Sequence, residues 1–270
     1  MKHLLSLALI MLVIGLLIPK SSKPPVNSPS PLPTLQSTPS TERPYPSQVL
    51  NLTNWKITLP IGKPKKLSSP LEIRQPDLAT YKIDPWFTLT PDDQAVRFRA
   101  PVNAPTTGGT KYARSELREM TNNGQDKASW SSTAGTHTLF LDQAITAVPQ
   151  IKPDIVAGQI HDDNDDIIVI RLELPSLYVN VDGKNVYTLD NRYTLGKRFT
   201  VKFVVNNGQT QVYYNRGPNP SYTLSLDYDD AYFKAGAYTQ SNCDTEGSAQ
   251  LCHADNYGEV TVYNAIITHL

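Results

Sequence analysis

From Gln48 onward, apolar and polar residues alternate in short runs rich in Tyr, Val, Thr and Ile, the pattern of half-buried strands. The clearest runs are Ala95–Arg99, Ile167–Leu174, Phe199–Val205, Gln211–Tyr214 and Val260–Ile267. Turn chemistry separates them at Asn122-Asn123-Gly124, Asp182-Gly183, Asn206-Asn207-Gly208 and Arg216-Gly217-Pro218. Asn, Asp and Gly tolerate the left-handed backbone that tight hairpins require. No long segment carries a helical period, and no internal repeat is evident. So many short strands across residues 48–270 predict an all-β fold, an antiparallel two-sheet β-sandwich or jelly roll.

Upstream of Gln48 the pattern changes. Met1-Lys2-His3 precedes an apolar run from Leu4 to Ile18, broken only by Ser6 and Gly15. A basic tip before a run of this length predicts export through a signal peptide. The run is short for a membrane span, and Pro19-Lys20 follows without a clear cleavage site. Residues 1–18 thus have two readings, a cleaved signal peptide or an uncleaved N-terminal anchor. The product is then secreted, periplasmic or tethered to a membrane. Residues 19–47 are rich in Pro, Ser and Thr and cannot bury enough apolar surface to offset their chain entropy, so they read as a linker.

Strand periodicity also sorts side chains by face, since residues i and i+2 point the same way. In Arg114-Ser115-Glu116-Leu117-Arg118, one face carries Arg114, Glu116 and Arg118. Gln159 and His161 share a face opposite Ile160. From Tyr232 to Gln240, one face carries Tyr232, Lys234, Gly236, Tyr238 and Gln240, and the other Phe233, Ala235, Ala237 and Thr239. Arg97 and Arg99 stand opposite Val96 and Phe98. Any one such segment is an ordinary solvated sheet face. Together they suggest a surface of Arg, Lys, His, Gln and Tyr suited to an acidic, hydroxyl-rich ligand.

The net charge at first opposes that reading. The chain of 270 residues has 25 Lys+Arg against 25 Asp+Glu. Removing Lys2, Lys20, Lys23, Arg43 and Glu42 leaves residues 48–270 with 21 basic against 24 acidic groups. Such a balance argues against nucleic acid as a partner held by bulk charge. The acids, however, gather in turns such as Asp162–Asp166, while the cations lie on strands.

The three polar-faced segments, in this order, resemble the alginate lyases of polysaccharide lyase family 7. That family is marked by Arg-(Ser/Thr)-Glu-Leu-Arg, Gln-(Ile/Val)-His and Tyr-x-Lys-Ala-Gly-x-Tyr-x-Gln, which stand here as Arg114–Arg118, Gln159–His161 and Tyr232–Gln240. Leu52–Pro60 and Asn256–Tyr263 are also similar to family segments. The resemblance spans residues 48–270. It implies a β-jelly roll with a concave substrate groove. It also implies cleavage of alginate, a mannuronate and guluronate polymer, by β-elimination.

That reaction removes the C5 proton beside a uronate carboxylate and expels the 4-O-linked sugar. The carboxylate must be neutralised so that the developing enolate-like dianion is stabilised. The resemblance assigns this to Arg114 and Gln159, and the acid–base work to His161 and Tyr238. A phenol ordinarily titrates near about 10, so Tyr238 as base would need nearby cations. Two versions stay open. Tyr238 acts as base and then acid while neutral His161 helps to neutralise the carboxylate, or His161 takes the proton and Tyr238 protonates the leaving oxygen. Arg97, Arg99, Glu116, Arg118, Arg171, Tyr232, Lys234 and Gln240 are the candidate substrate-binding groups, with Glu116 expected to orient its flanking arginines. Glu173 and Tyr178 are further candidates for the groove wall.

Two features invite other readings. Asp162–Asp166 begins like a calcium loop, but Ile167 stands where the loop needs Gly and no Glu closes it, so it reads as an acidic turn. No metal or other cofactor is expected. Cys243 and Cys252 read as a disulfide in an exported protein, worth roughly 2–3 kcal/mol by loop closure. Rival functions are a glycoside hydrolase, a lyase for another polyuronate such as glucuronan, and a non-catalytic carbohydrate-binding module. A hydrolase needs paired carboxyl groups on one strand face, and no such pair is evident. A monomer is the default expectation.

Overall fold

The computed structural model describes residues 45–270. The apolar run 4–18 and nearly all of the Pro/Ser/Thr-rich segment lie outside the described residues. The predicted end of the linker shifts by a few residues. Pro46–Gln48 forms a 3-10 turn with Pro46 buried, and Ser47 Oγ donates to the Ala79 carbonyl at 2.5 Å. The last residues assigned to the linker therefore belong to the folded domain.

The strands run β1 (Trp55–Lys63), β2 (Lys66–Ile73), β3 (Phe87–Leu89), β4 (Val96–Pro101), β5 (Arg114–Thr121) and β6 (Asp126–Lys127). β7 (Thr136–Ala147), β8 (Asp154–His161), β9 (Asp166–Glu173), β10 (Ser176–Val181) and β11 (Lys184–Asp190) follow. β12 (Arg198–Asn206), β13 (Gln209–Tyr214), β14 (Tyr222–Ser225), β15 (Tyr232–Thr239) and β16 (Tyr257–His269) complete the set. A single short α-helix among the described residues, α1 (Cys243–Glu246), sits between β15 and β16.

All pairings are antiparallel. The first sheet has the order β11-β10-β9-β8-β15-β5-β1-β2, with β6 added to β5. The second has the order β14-β13-β12-β7-β16-β4-β3. The jumps from β8 to β15 to β5 place strands distant in sequence side by side, the long connections of a jelly roll. The anticipated turns join hairpins: Asp182 and Gly183, and Asn207 and Gly208, all have positive φ, as two-residue loops require.

Inward-facing alternate residues from both sheets form one core, including Ile57, Phe98, Leu117, Leu141, Ile160, Ile170, Phe203, Phe233 and Val260. Each such side chain, fully withdrawn from water, contributes about 1.5–3 kcal/mol. The same alternation aims the neighbouring positions of β1, β5, β8, β9 and β15 outward, on the face that carries the polar groups.

Gly236 has a local task in this sheet. It lies opposite Glu116 in register at φ +126°, and a Cβ there would sit 2.7 Å from the Ser115 carbonyl oxygen and 3.1 Å from Glu116 Cα. A side chain would push β15 off β5 at the centre of the polar face. Gly158, on β8, has φ +140° and lies within the same interruption of the β8–β15 ladder.

Candidate active site

A groove of about 680 Å³ runs over the outer face of the first sheet. Strand register builds its floor. Tyr238 pairs with Arg114, Lys234 pairs with both Arg118 and Gln159, and Tyr232 pairs with His161. The three sequence motifs thus become three adjacent strands, β5, β15 and β8, with their polar faces side by side.

Glu116 is the hub beneath that floor. Its side chain is fully buried. One carboxylate oxygen accepts from Arg114 Nη1 at 2.8 Å and from Lys234 Nζ at 2.8 Å. The other accepts from the Gln159 side-chain amide at 2.5 Å. Lys234 and Arg114 hold the Glu116 carboxyl below its ordinary range against the opposing effect of burial, so it stays ionised. One buried anion therefore serves two cations and an amide, leaving the cluster with excess positive charge. Burial pushes the Lys234 ammonium down to about 8, with Glu116 acting in the opposite sense.

His161 stands at the end of β8. Its Nδ1 lies 2.5 Å from the Asp162 carbonyl oxygen. A carbonyl only accepts, so Nδ1 carries the proton and Nε2 keeps a lone pair. Burial, and then the charge of Lys234, lower the His161 pKa, which keeps the ring neutral at neutral pH. The Tyr232 hydroxyl lies 3.2 Å from Nδ1, and the two rings stack. Arg118 lies over the other aromatic partner, with its guanidinium 3.8 Å from the Tyr232 ring centre. It also donates to the Glu119 carbonyl at 2.7 Å.

Tyr238 completes the floor. The Arg114 guanidinium sits 3.9 Å above its ring, and Lys234 Nζ lies 5.9 Å from the ring centre. Its hydroxyl is 2.6 Å from Thr110 Oγ1. Arg171 lines one end, but its donors are engaged by Glu173 at 2.7 Å, Asp154 at 3.0 Å and Gln240 at 3.1 Å. Gln240 Nε2 and Arg114 Nε are buried and without a partner among the described residues. Both belong to groove-lining residues.

Not every expected residue is here. Arg97 and Arg99 lie on β4, which belongs to the second sheet. Arg97 pairs with Asp84 at 3.4 Å, and Arg99 pairs with Glu259 at 2.6 Å while stacking on Tyr257. Their face was correctly inferred as the polar one, but it is the outer face of the wrong sheet. Glu116 is likewise under the groove and holds the binding groups, instead of touching ligand itself. Conversely, Lys56 and Thr58 on β1 join the groove wall, as do Thr110 and Tyr112 from the loop before β5. Lys56 had a readable signal, since it alternates with Trp55 and Ile57, both in the core. The Asp163–Asp166 turn forms one lip of the groove. There burial and the neighbouring Asp165 push the Asp166 carboxyl up to about 6.

Cys243 and Cys252 are disulfide-bonded. The bridged segment starts three residues after Gln240, and Asn242, just before it, donates its side-chain amide to the Lys111 carbonyl at 3.3 Å. The residue that leads into the disulfide loop therefore ties it to the Thr107–Tyr112 wall.

Comparison with known proteins agrees with this geometry. A family model described as alginate lyase matches residues 50–269. The solved alginate lyase AlgAT5 from polysaccharide lyase family 7 shares 48% identity over 84% of this chain and 99% of its own, with a TM-score of 0.78. An alginate lyase structure from Corynebacterium sp. shares 46% identity over 84% of this chain and 98% of its own, also with a TM-score of 0.78. A curated alginate lyase of Klebsiella pneumoniae is 25% identical over 84% of this chain and 92% of its own length.

Proposed function

The chain belongs to the alginate lyase family and is a polysaccharide lyase that cleaves alginate by β-elimination; on that premise we propose the following roles for its groove residues. Arg114 and Gln159, fixed from below by Glu116, hold the uronate carboxylate, and Lys234 adds positive charge behind them. Concentrated cationic and amide donors favour the enolate-like dianion over the ground-state monoanion, which is where such a site must act.

The observation that carries the acid–base assignment is the His161 tautomer. With its proton committed to the Asp162 carbonyl at Nδ1, His161 offers only a lone pair at Nε2. A lone pair would repel a carboxylate, yet it can accept the C5 proton. His161 is therefore the base. The C5–H electron pair passes into the new C4–C5 double bond, the C4–O4 bond breaks, and Tyr238 delivers its phenolic proton to the departing O4. The products are a 4,5-unsaturated uronate end and a new reducing end. Two separate groups suit a guluronate-type linkage, where the C5 proton and the leaving group lie on opposite faces.

The test uses purified enzyme with polymannuronate, polyguluronate and glucuronan, following the absorbance of the unsaturated uronate. His161→Ala and Tyr238→Phe should each lower kcat on polyguluronate by about 10²–10⁴-fold while polymer binding persists. Product formation near the wild-type rate by either variant would sink that residue's role. Preferential attack on glucuronan would overturn alginate as the preferred substrate. The Leu4–Ile18 run and the disulfide support an exported enzyme held on a Pro-rich spacer.

A further inference from the structure

We propose that Thr110 is a positioning residue for Tyr238, donating its hydroxyl proton to the phenolic oxygen and so directing the phenol's own proton into the groove. The inference rests on the role of Tyr238 given above. Its basis is the 2.6 Å contact between Thr110 Oγ1 and Tyr238 Oη. Among the described residues, Thr110 is the one hydrogen-bond partner of that hydroxyl.

The hydrogen-bond inventory sets the direction. A threonine hydroxyl has one proton and two lone pairs. The backbone N–H of Tyr112 donates to Thr110 Oγ1 at 3.1 Å and occupies one lone pair. The Thr110 proton is then free to turn toward Tyr238, and with that donation made the phenol keeps its own proton for the substrate. Once Tyr238 has protonated the leaving oxygen it is a phenolate, and the Thr110 bond becomes charge-assisted and about twice as strong. The donation is thus worth more after proton transfer than before, which is the condition for lowering a barrier.

The remaining groups around Tyr238 do not supply this. Arg114 and Lys234 approach its ring at 3.9 and 5.9 Å, Tyr112 meets it edge-on at 6.4 Å, and Lys152 lies over Tyr112. Arg171 is committed to Asp154, Glu173 and Gln240. His161, across the groove, is the partner base. These cations stabilise negative charge on the ring as a whole, whereas Thr110 fixes the direction of one lone pair. Next to Thr110, the Lys111 carbonyl accepts from the Asn242 side chain at 3.3 Å, which ties the end of the Thr107–Thr110 turn to the segment after β15.

The experiment compares Thr110→Val, which keeps the shape and removes the hydroxyl, with Thr110→Ser, which keeps it. Thr110→Val should lower kcat on polyguluronate by about tenfold or more with KM within about twofold. Thr110→Ser should restore most of kcat, and adding Thr110→Val to Tyr238→Phe should cost nothing further. If Thr110→Val does not fold, as judged by its melting temperature, Thr110→Ala carries the same readouts. A Thr110→Val enzyme with wild-type kcat, or with a change in KM alone, overturns the proposal. So does failure of Ser to rescue. If Tyr238→Phe itself remains active, the reading of Tyr238 has failed; if Tyr238→Phe is inactive while Thr110→Val is normal, only the role of Thr110 has.

Discussion

The outer faces of the two sheets carry the same kind of pair, an arginine stacked on a tyrosine, put to different use. In the groove, Arg114 lies 3.9 Å over Tyr238 and Arg118 lies 3.8 Å over Tyr232. On the second sheet, Arg99 lies 3.8 Å over Tyr257 and Arg198 lies 3.8 Å over Tyr263. What differs is the supply of carboxylates. On the second sheet each arginine has its own acid: Arg99 has Glu259, Arg198 has Asp142 and Arg97 has Asp84. In the groove, Arg114 and Lys234 share Glu116, and Arg118 has no carboxylate partner among the described residues. Around Glu116 the groove floor is short of anions, although Arg171 at its end has Asp154 and Glu173, whereas the second sheet is neutralised pair by pair. An anionic polymer is attracted to the face where the protein has left cations undercompensated.

The largest effect should come from removing the shared acid. Glu116→Ala leaves buried Arg114 and Lys234 without their counter-ion and should cost about 3–5 kcal/mol in urea unfolding, together with nearly all activity. A variant that keeps wild-type stability would show that the groove does not depend on one buried anion. A smaller effect is expected from the charge of Lys234. Its ammonium is present below about 8 and lost above it, so kcat/KM should fall as pH rises through that value, by about tenfold. Lys234→Met should be slower below pH 8 and lack that fall; an unchanged alkaline limb would argue that Lys234 contributes no charge to binding. The smallest change belongs to the other face. Arg198→Ala breaks a half-exposed pair and should cost about 1 kcal/mol with activity untouched. A loss of alginate cleavage there would erase the contrast between the two sheets.

Much of the site was legible because β-strands sort side chains with period two. Arg114, Gln159, His161, Lys234, Tyr238 and Gln240 fall on the groove face as the alternation and the motifs required. The same rule misplaced Arg97 and Arg99. A sandwich has two outer faces, and alternation separates outward from inward without saying which sheet a strand joins. Glu116 was expected to steer its flanking arginines. Instead it binds Arg114, Lys234 and Gln159, while Arg118 turns to Tyr232 and to the Glu119 carbonyl. Lys234 and Gln159 reach Glu116 only through strand register, which pairs β15 with both β5 and β8. Thr110 was missed for a related reason. It comes from a loop with no periodicity, and its partner is 128 residues away.

The chain by itself determined the fold class, the inward and outward faces, the disulfide and the family motifs, since each depends on residue type and short spacing. Tertiary structure alone decided which face became the groove, which cations went unneutralised and which nitrogen of His161 kept its lone pair. Those properties are set by through-space distances between strands far apart in sequence, and no local pattern encodes them.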